Sequence, residues 1–278
     1  MNGREIILGA VAYDTKVVAI WEGFRTYFET HGLPFDFVLY SNYDRQVEAH
    51  LRGDIDVAWN SPLAWVEAQR AAGARGRRTE AVAMRNTDRD LTSVVIVRAD
   101  GAVRELADLR GRRIAVGAAD SPQATLIPLL SLAEAGVECQ VLRHDVLLGK
   151  HGDHVGGERN AVRALLDGTA DAACLMDGNR LAFVREGLIG VNAVRVLLQT
   201  PPYDHCNFTI LDSGPPAIGH LRDLLLGMSY DDPGLRPLLD MEGLQAWLPG
   251  RTTGYALLER AVDRYGTIDK WFAHVVTR

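Results

Sequence analysis

Short apolar runs alternate with amphipathic stretches at helical spacing along most of this chain, and that alternation confines it to an α/β architecture. Residues 6–12 read as a buried strand. Val18, Trp21, Phe24, Tyr27 and Phe28 then form an apolar stripe on a helix that Gly32-Leu33-Pro34 ends. Residues 35–40 read as a second strand, 42–50 as a helix and 55–59 as a third strand. This β-α-β-α-β order needs helical crossovers and therefore implies a parallel sheet. From Arg113 the pattern restarts: a strand, a helix over 125–135, a strand over 140–144, a Gly-rich loop over 149–157, a helix over 159–166 and a strand over 170–176. A helix over 181–186 and a strand over 194–199 follow, and the tail from Ile218 reads as helices with a break at Trp247-Leu248-Pro249. No linker rich in Pro, Gly and Ser separates the two successions, so the crossings are short and ordered, near 92–98 and 199–208. The expectation is a two-lobed α/β protein with a ligand cleft between the lobes. Lobe 1 comprises 1–95 plus 206–278 and lobe 2 comprises 96–205, each a mostly parallel sheet flanked by helices.

Composition excludes several classes. A net charge of −6 over 278 residues offers no basic stripe for nucleic acid. No run of about 18 apolar residues is present to span a membrane. Met1-Asn2-Gly3-Arg4 leads almost directly into a strand without a secretory signal, so the chain as it stands reads as cytoplasmic, or periplasmic if a signal has been removed. Cys139, Cys174 and Cys206 are odd in number and lack CxxC spacing, which fits a reducing compartment rather than a disulfide framework.

The most informative stretch for function is Leu106-Ala107-Asp108-Leu109-Arg110-Gly111-Arg112-Arg113-Ile114-Ala115-Val116-Gly117 with the following Asp120-Ser121-Pro122-Gln123-Ala124-Thr125. It reads as a short helix, a Gly turn, a buried strand and a loop that opens a new helix. A helix N-terminus at a strand end attracts anions, because its N–H groups are unpaired and its dipole is positive there. Ser121, Gln123, Ala124, Thr125 and the local backbone are therefore candidate anion contacts. Tyr13, Asn42, Tyr43, Asn60 and Ser61 lie just past strand ends, where cleft residues occur, although Asn42 also suits a helix cap and Ser61 a turn. Thr92 and Ser93 either present hydroxyls at the hinge or fill strand positions. Asp177 and Asn179 follow a buried strand, as ligand contacts or as a cap.

His151 and His154 stand three apart in the Gly-rich loop, flanked by Asp153 and Glu158, and His205-Cys206 stands at the return crossing. Three roles are open for His151, His154 and His205: metal ligation with Cys206 (zinc or iron), general acid/base catalysis, or contact with a ligand. A nucleophilic Cys206 paired with His205 is disfavoured, because neighbours on a strand point to opposite faces. Cys174, inside Ala172-Ala173-Cys174-Leu175-Met176, reads as core.

The order and spacing of several segments resemble the phosphonate, phosphite and phosphate substrate-binding proteins of ABC importers, with the type II periplasmic-binding fold. These segments are Asn42-Tyr43, Gly53-Asp54-Ile55-Asp56-Val57-Ala58-Trp59, Ser61-Pro62-Leu63-Ala64-Trp65, Thr92-Ser93-Val94-Val95-Ile96-Val97-Arg98, the 106–117 stretch, Asp120-Ser121, Ala161-Val162-Arg163-Ala164-Leu165 and Asp171-Ala172-Ala173. The resemblance runs from about residue 5 to about 215 and implies a small-molecule ligand, with an ABC permease as partner in an exported protein. Three departures stand out. The family's hydroxyl cluster Ser-Thr-Ser-Gly corresponds here to Ser121-Pro122-Gln123-Ala124, no export signal is evident, and the 149–159 loop is longer and carries histidines. The resemblance implies capture of a polar, anionic metabolite such as a phosphonate or carboxylate. Some relatives of the fold are biosynthetic enzymes, among them a chorismate dehydratase and thiamin pyrimidine synthases, so a lyase-type enzyme using the cleft histidines is the alternative.

Overall fold

The computed structural model describes residues 4–145 and 154–265. The chain divides into two compact units, 1–89 with 204–255 and 90–203 with 256–278, so it passes from one to the other three times.

In the first unit, β1 (Ile6–Val11), α1 (Lys16–Thr30), β2 (Phe35–Tyr40), α2 (Tyr43–Arg52), β3 (Val57–Asn60), α3 (Pro62–Gly73) and β4 (Thr79–Arg85) follow in order. The helix starts are chemically marked. Asn42 Oδ1 accepts the Arg45 N–H at 3.0 Å at the start of α2. Ser61 Oγ accepts the Ala64 N–H at the start of α3, where Pro62 occupies the first turn. Trp21, Phe24 and Phe28 on α1 are buried against Phe35, Trp59, Phe208 and Trp247 in one aromatic core. Their edge and tilted ring contacts, such as Trp21 to Phe208 at 6.0 Å, suit the quadrupoles of aromatic pairs.

The second unit contains β5 (Ser93–Arg98), β6 (Arg113–Val116), α4 (Ile127–Glu134), β7 (Gln140–Arg143), α5 (His154–Leu166), β8 (Ala172–Met176), α6 (Asp177–Arg185) and β9 (Val194–Gln199). Its core gathers Val94, Ile96, Ala115, Val162, Leu165, Leu175 and Phe183. Cys174 on β8 is fully buried, as its apolar run implies. The chain returns to the first unit as β10 (Asn207–Leu211), α7 (Ile218–Gly227), α8 (Arg236–Glu242) and β11 (Trp247–Pro249). The last described element is α9 (Ala256–Tyr265), which packs on α4 in the second unit.

Both sheets are mixed rather than mostly parallel. The first runs β11-β4-β10-β3-β1-β2 and the second β7-β6-β8-β5-β9. β2, β1 and β3 are parallel, and so are β7, β6 and β8, because helices carry the chain back between them. β10 lies antiparallel to both β3 and β4, and β5 antiparallel to both β8 and β9. These strands adjoin the crossings between units and join their sheets without a helical crossover.

The break in the helical tail at Trp247–Pro249 is itself a strand, paired with β4. Two further expectations need correction. The tail does not belong wholly with the first lobe, since α9 sits in the second unit. The Gly-rich segment is part helix, since α5 takes in Gly156 and Gly157. A Cβ on Gly157 would lie 2.6 Å from the His144 carbonyl oxygen, so only glycine lets α5 approach the end of β7 this closely.

Candidate functional site

In the second unit, β6 ends at Val116 and the chain turns through Gly117 to Ser121 before Pro122–Leu126 forms a π-helical turn that runs into α4. Such turns recur at functional sites. A Cβ on Gly117 would sit 2.9 Å from Ala124 Cβ, so the turn folds tightly onto the strand end. All five residues of the turn are buried. Ser121 Oγ accepts the Ala124 N–H at 3.1 Å and caps the turn, while Thr125 Oγ1 donates to the Ala118 carbonyl at 2.7 Å. Gln123 is buried, and its Oε1 has no hydrogen-bond partner.

Ser93 at the start of β5 supports this turn from beneath. Its Oγ donates to the Gln123 carbonyl at 2.5 Å and lies 2.7 Å from the Tyr203 hydroxyl, while its N–H donates to Thr200 Oγ1 at 3.0 Å. Thr92 faces Gln199, whose Nε2 donates to Thr92 Oγ1 at 3.0 Å. Asn179 donates to the buried Glu158 at 2.9 Å, and Asp177 accepts from Arg180 at 2.6 Å. Ser93 and Thr125 are therefore braces of the turn, and Asn179 and Asp177 engage their own neighbours. His151 lies outside the described residues. His154 opens α5, but its side chain also lies outside them.

In the first unit, Asn60 is engaged in a buried polar chain. Gln46 Nε2 donates to Asn60 Oδ1 at 2.8 Å, Asn60 Nδ2 to Thr209 Oγ1 at 2.8 Å, and Thr209 Oγ1 to Asn207 Oδ1 at 2.7 Å. Asn207 Nδ2 then donates to the Tyr255 hydroxyl at 2.7 Å, which donates to the His205 carbonyl at 2.7 Å. Among the expected contacts, Asn42 and Ser61 are helix caps, whereas Tyr13, just past β1, is 56% exposed.

A second cluster was not foreseen as a whole. Arg85, at the end of β4, grips Asp88 through Nε (2.5 Å) and Nη2 (2.9 Å) and reaches Glu242 Oε1 at 3.2 Å. Its guanidinium also lies 5.2 Å from the Trp59 ring centre. Burial alone would raise the Asp88 carboxyl, but Arg85 and His205 outweigh it and hold the group well below the usual carboxylate range. Burial pushes Glu242 up to about 7, against the pull of Arg85. Burial also lifts the Tyr43 phenol and the Cys206 thiol well above their ordinary values.

His205 and Cys206 do meet, contrary to expectation. His205 Nδ1 lies 3.1 Å from Cys206 Sγ and 3.4 Å from Asp88 Oδ1. Both residues precede β10, so the alternation of a strand does not separate them. The same ring nitrogen makes both contacts, and the thiol is held protonated, so these three groups do not form a relay that would activate a nucleophile. The Arg85/Asp88 spacing of three was legible in the sequence. Glu242 lies far along the chain and carried no local signal.

The chain matches the ABC-transporter phosphonate periplasmic substrate-binding protein family over residues 9–255. It belongs to that family. Solved structures share the two-lobed α/β fold. PhnD1 from Prochlorococcus marinus, in complex with methylphosphonate, superposes with a TM-score of 0.66 at 17% identity, covering 95% of this chain and 98% of that one. XAC2383 from Xanthomonas citri, bound to ATP, gives 0.67 at 20% identity, covering 94% and 97%. The aliphatic sulphonate binding protein SsuA from Escherichia coli gives 0.57 at 16%, covering 94% and 86%. No helix among the described residues is long and apolar enough to cross a membrane.

Proposed function

We propose that this protein captures a small acidic metabolite, holds its anionic end at the 121–126 turn, and hands it to an ABC permease at the periplasmic face of a membrane. The observation that carries this reading is the buried turn at the end of β6, which opens a helix and contains a buried amide with an unpartnered oxygen. The dipole of the turn and α4 favours a negative charge at that end.

The donor supply favours a singly charged acid group, a carboxylate above all, over a doubly charged phosphonate. Thr125 has already committed its proton to Ala118, and the Ser121 hydroxyl oxygen already accepts from Ala124, leaving one hydroxyl donor. A phosphonate carries three oxygens, and each one left buried without a donor costs about 1–3 kcal/mol. Gln123 can turn its amide, whose two ends differ only in hydrogen-bonding role, to present N–H donors. Membership of the phosphonate family and the sulphonate-binding neighbour of the same fold support an anion in general.

Calorimetric titration with methylphosphonate, ethanesulfonate and short carboxylates tests this. A cognate acid at 100 times its Kd is expected to stabilise the fold by about 2.7 kcal/mol. Gln123→Leu is expected to weaken its binding about tenfold, the loss of one hydrogen bond to a charged group. Absence of binding by every acid, or unchanged affinity in Gln123→Leu, would sink the reading.

A further inference from the structure

We propose that Asp88, His205 and Cys206 form a zinc site in the first unit, oriented by Arg85. One ligand atom from each residue lies within 4.8 Å of the other two. Around a tetrahedral zinc, with Zn–N and Zn–O near 2.0–2.2 Å and Zn–S near 2.3 Å, ligand atoms stand roughly 3.3–3.7 Å apart. His205 Nδ1 already stands 3.1 Å from Cys206 Sγ and 3.4 Å from Asp88 Oδ1, so closing round an ion needs only small side-chain adjustments.

The backbone holds these residues in place. The His205 N–H donates to the Asp88 carbonyl at 2.8 Å, and the Tyr255 hydroxyl donates to the His205 carbonyl at 2.7 Å. Asp88 and Cys206 are buried and His205 is partly exposed, which leaves the ion a route in. Arg85 reaches both Asp88 oxygens. On metal binding Oδ2 keeps the Arg85 Nε contact while Oδ1 turns to the ion, the arrangement in which an outer partner fixes a ligating carboxylate.

Binding forms a Zn–S bond and releases the Cys206 proton to solvent, with no change of oxidation state. Three protein ligands leave the fourth position to water.

The test uses the full chain, stripped with chelator and loaded first with zinc and then with cobalt as a spectroscopic substitute. One zinc per chain is expected, with proton release on uptake. Cobalt is expected to give a thiolate-to-metal charge-transfer band that is lost in Cys206→Ser and retained in Cys139→Ser. His205→Gln is expected to weaken zinc by more than the 10–100-fold typical of an outer partner. Circular dichroism monitors folding of each variant. Should Cys206→Ser fail to fold, the wild-type proton count and His205→Gln decide. A band that survives in Cys206→Ser, or that disappears in Cys139→Ser, would overturn the proposal, as would zinc uptake without proton release. None of these readouts involves an acidic metabolite, so the zinc site and the anion turn stand or fall separately.

Discussion

Two buried titratable residues in the first unit pull stability in opposite directions as pH changes. Burial lowers His50 from its ordinary 6.5 to about 4, whereas burial raises Glu242 from 4.5 to about 7. Each displacement is worth about 3 kcal/mol between protonation states. For His50 the unfolded chain binds the extra proton between pH 4 and 6.5, so stability rises with pH across that window. For Glu242 the folded chain binds the extra proton between pH 4.5 and 7, so stability falls as pH climbs through that window. The two slopes nearly cancel in the native protein. Glu242→Gln removes the falling slope, so its stability relative to the native protein is expected to be about 3 kcal/mol more favourable at pH 7.5 than at pH 4.5. His50→Leu removes the rising slope and is expected to gain most at pH 4.5. Urea unfolding at the two pH values measures both, and a difference independent of pH in either variant removes that residue from the account. At this scale the sequence was legible where chemistry is local. Asn42 and Ser61 sit where caps are needed; a cap was one of the two open readings for Asn42, whereas Ser61 was read as a cleft contact or a turn residue. Arg85 pairing with Glu242 was not legible, because 156 intervening residues separate the partners.

At the scale of elements, the turn between β6 and α4 depends on a glycine whose absent side chain lets the strand end touch Ala124. Gly117→Ala would place a methyl group 2.9 Å from Ala124 Cβ, closer than carbon atoms rest, so the turn must shift. The expected result is a loss of about 1–3 kcal/mol in stability and weaker binding of the cognate acid, while zinc uptake in the first unit is unchanged. Gly219→Ala, where a Cβ meets open space, is the control and is expected to bind acid normally. Normal acid affinity in a folded Gly117→Ala protein would show that the turn geometry is not what holds the anion. The position of this turn was readable because strand, glycine and helix start are contiguous in the chain. Its π form was not, because the Ser93 hydroxyl that bonds the Gln123 carbonyl comes from β5, thirty residues upstream. Sheet direction escaped for a related reason. Periodicity marks a strand, but whether it runs parallel depends on the route the chain takes to it, and β10 carries no trace of that route.

For the whole molecule the decisive feature is the third passage between units, which delivers α9 to the second unit. Its apolar stripe of Leu257, Leu258, Ala261 and Val262 was legible as a helix face, but nothing in those residues names α4, more than a hundred positions earlier, as the surface they cover. The stripe is buried, and α9 also packs on the Pro122–Leu126 turn, so this helix braces the proposed anion site. Just before the passage Tyr255 is anchored in the first unit by Asn207 Nδ2, and just after it Leu258 is buried in the second. Leu258→Ala removes a fully buried side chain and is expected to cost about 2–5 kcal/mol. Hydrogen exchange locates that cost, because protection falls where the cooperative unit containing the residue opens. Faster exchange confined to α4, β6 and the 121–126 turn, with β1 and β3 unchanged, is expected if each core unfolds as its own unit. A second consequence separates this bracing from general weakening: Leu258→Ala should lower affinity for the acid while zinc affinity at Asp88, His205 and Cys206 holds. Equal acceleration of exchange in β1 and α4 would instead make the two units one cooperative body, and the assignment of α9 to the second unit's stability alone would fail.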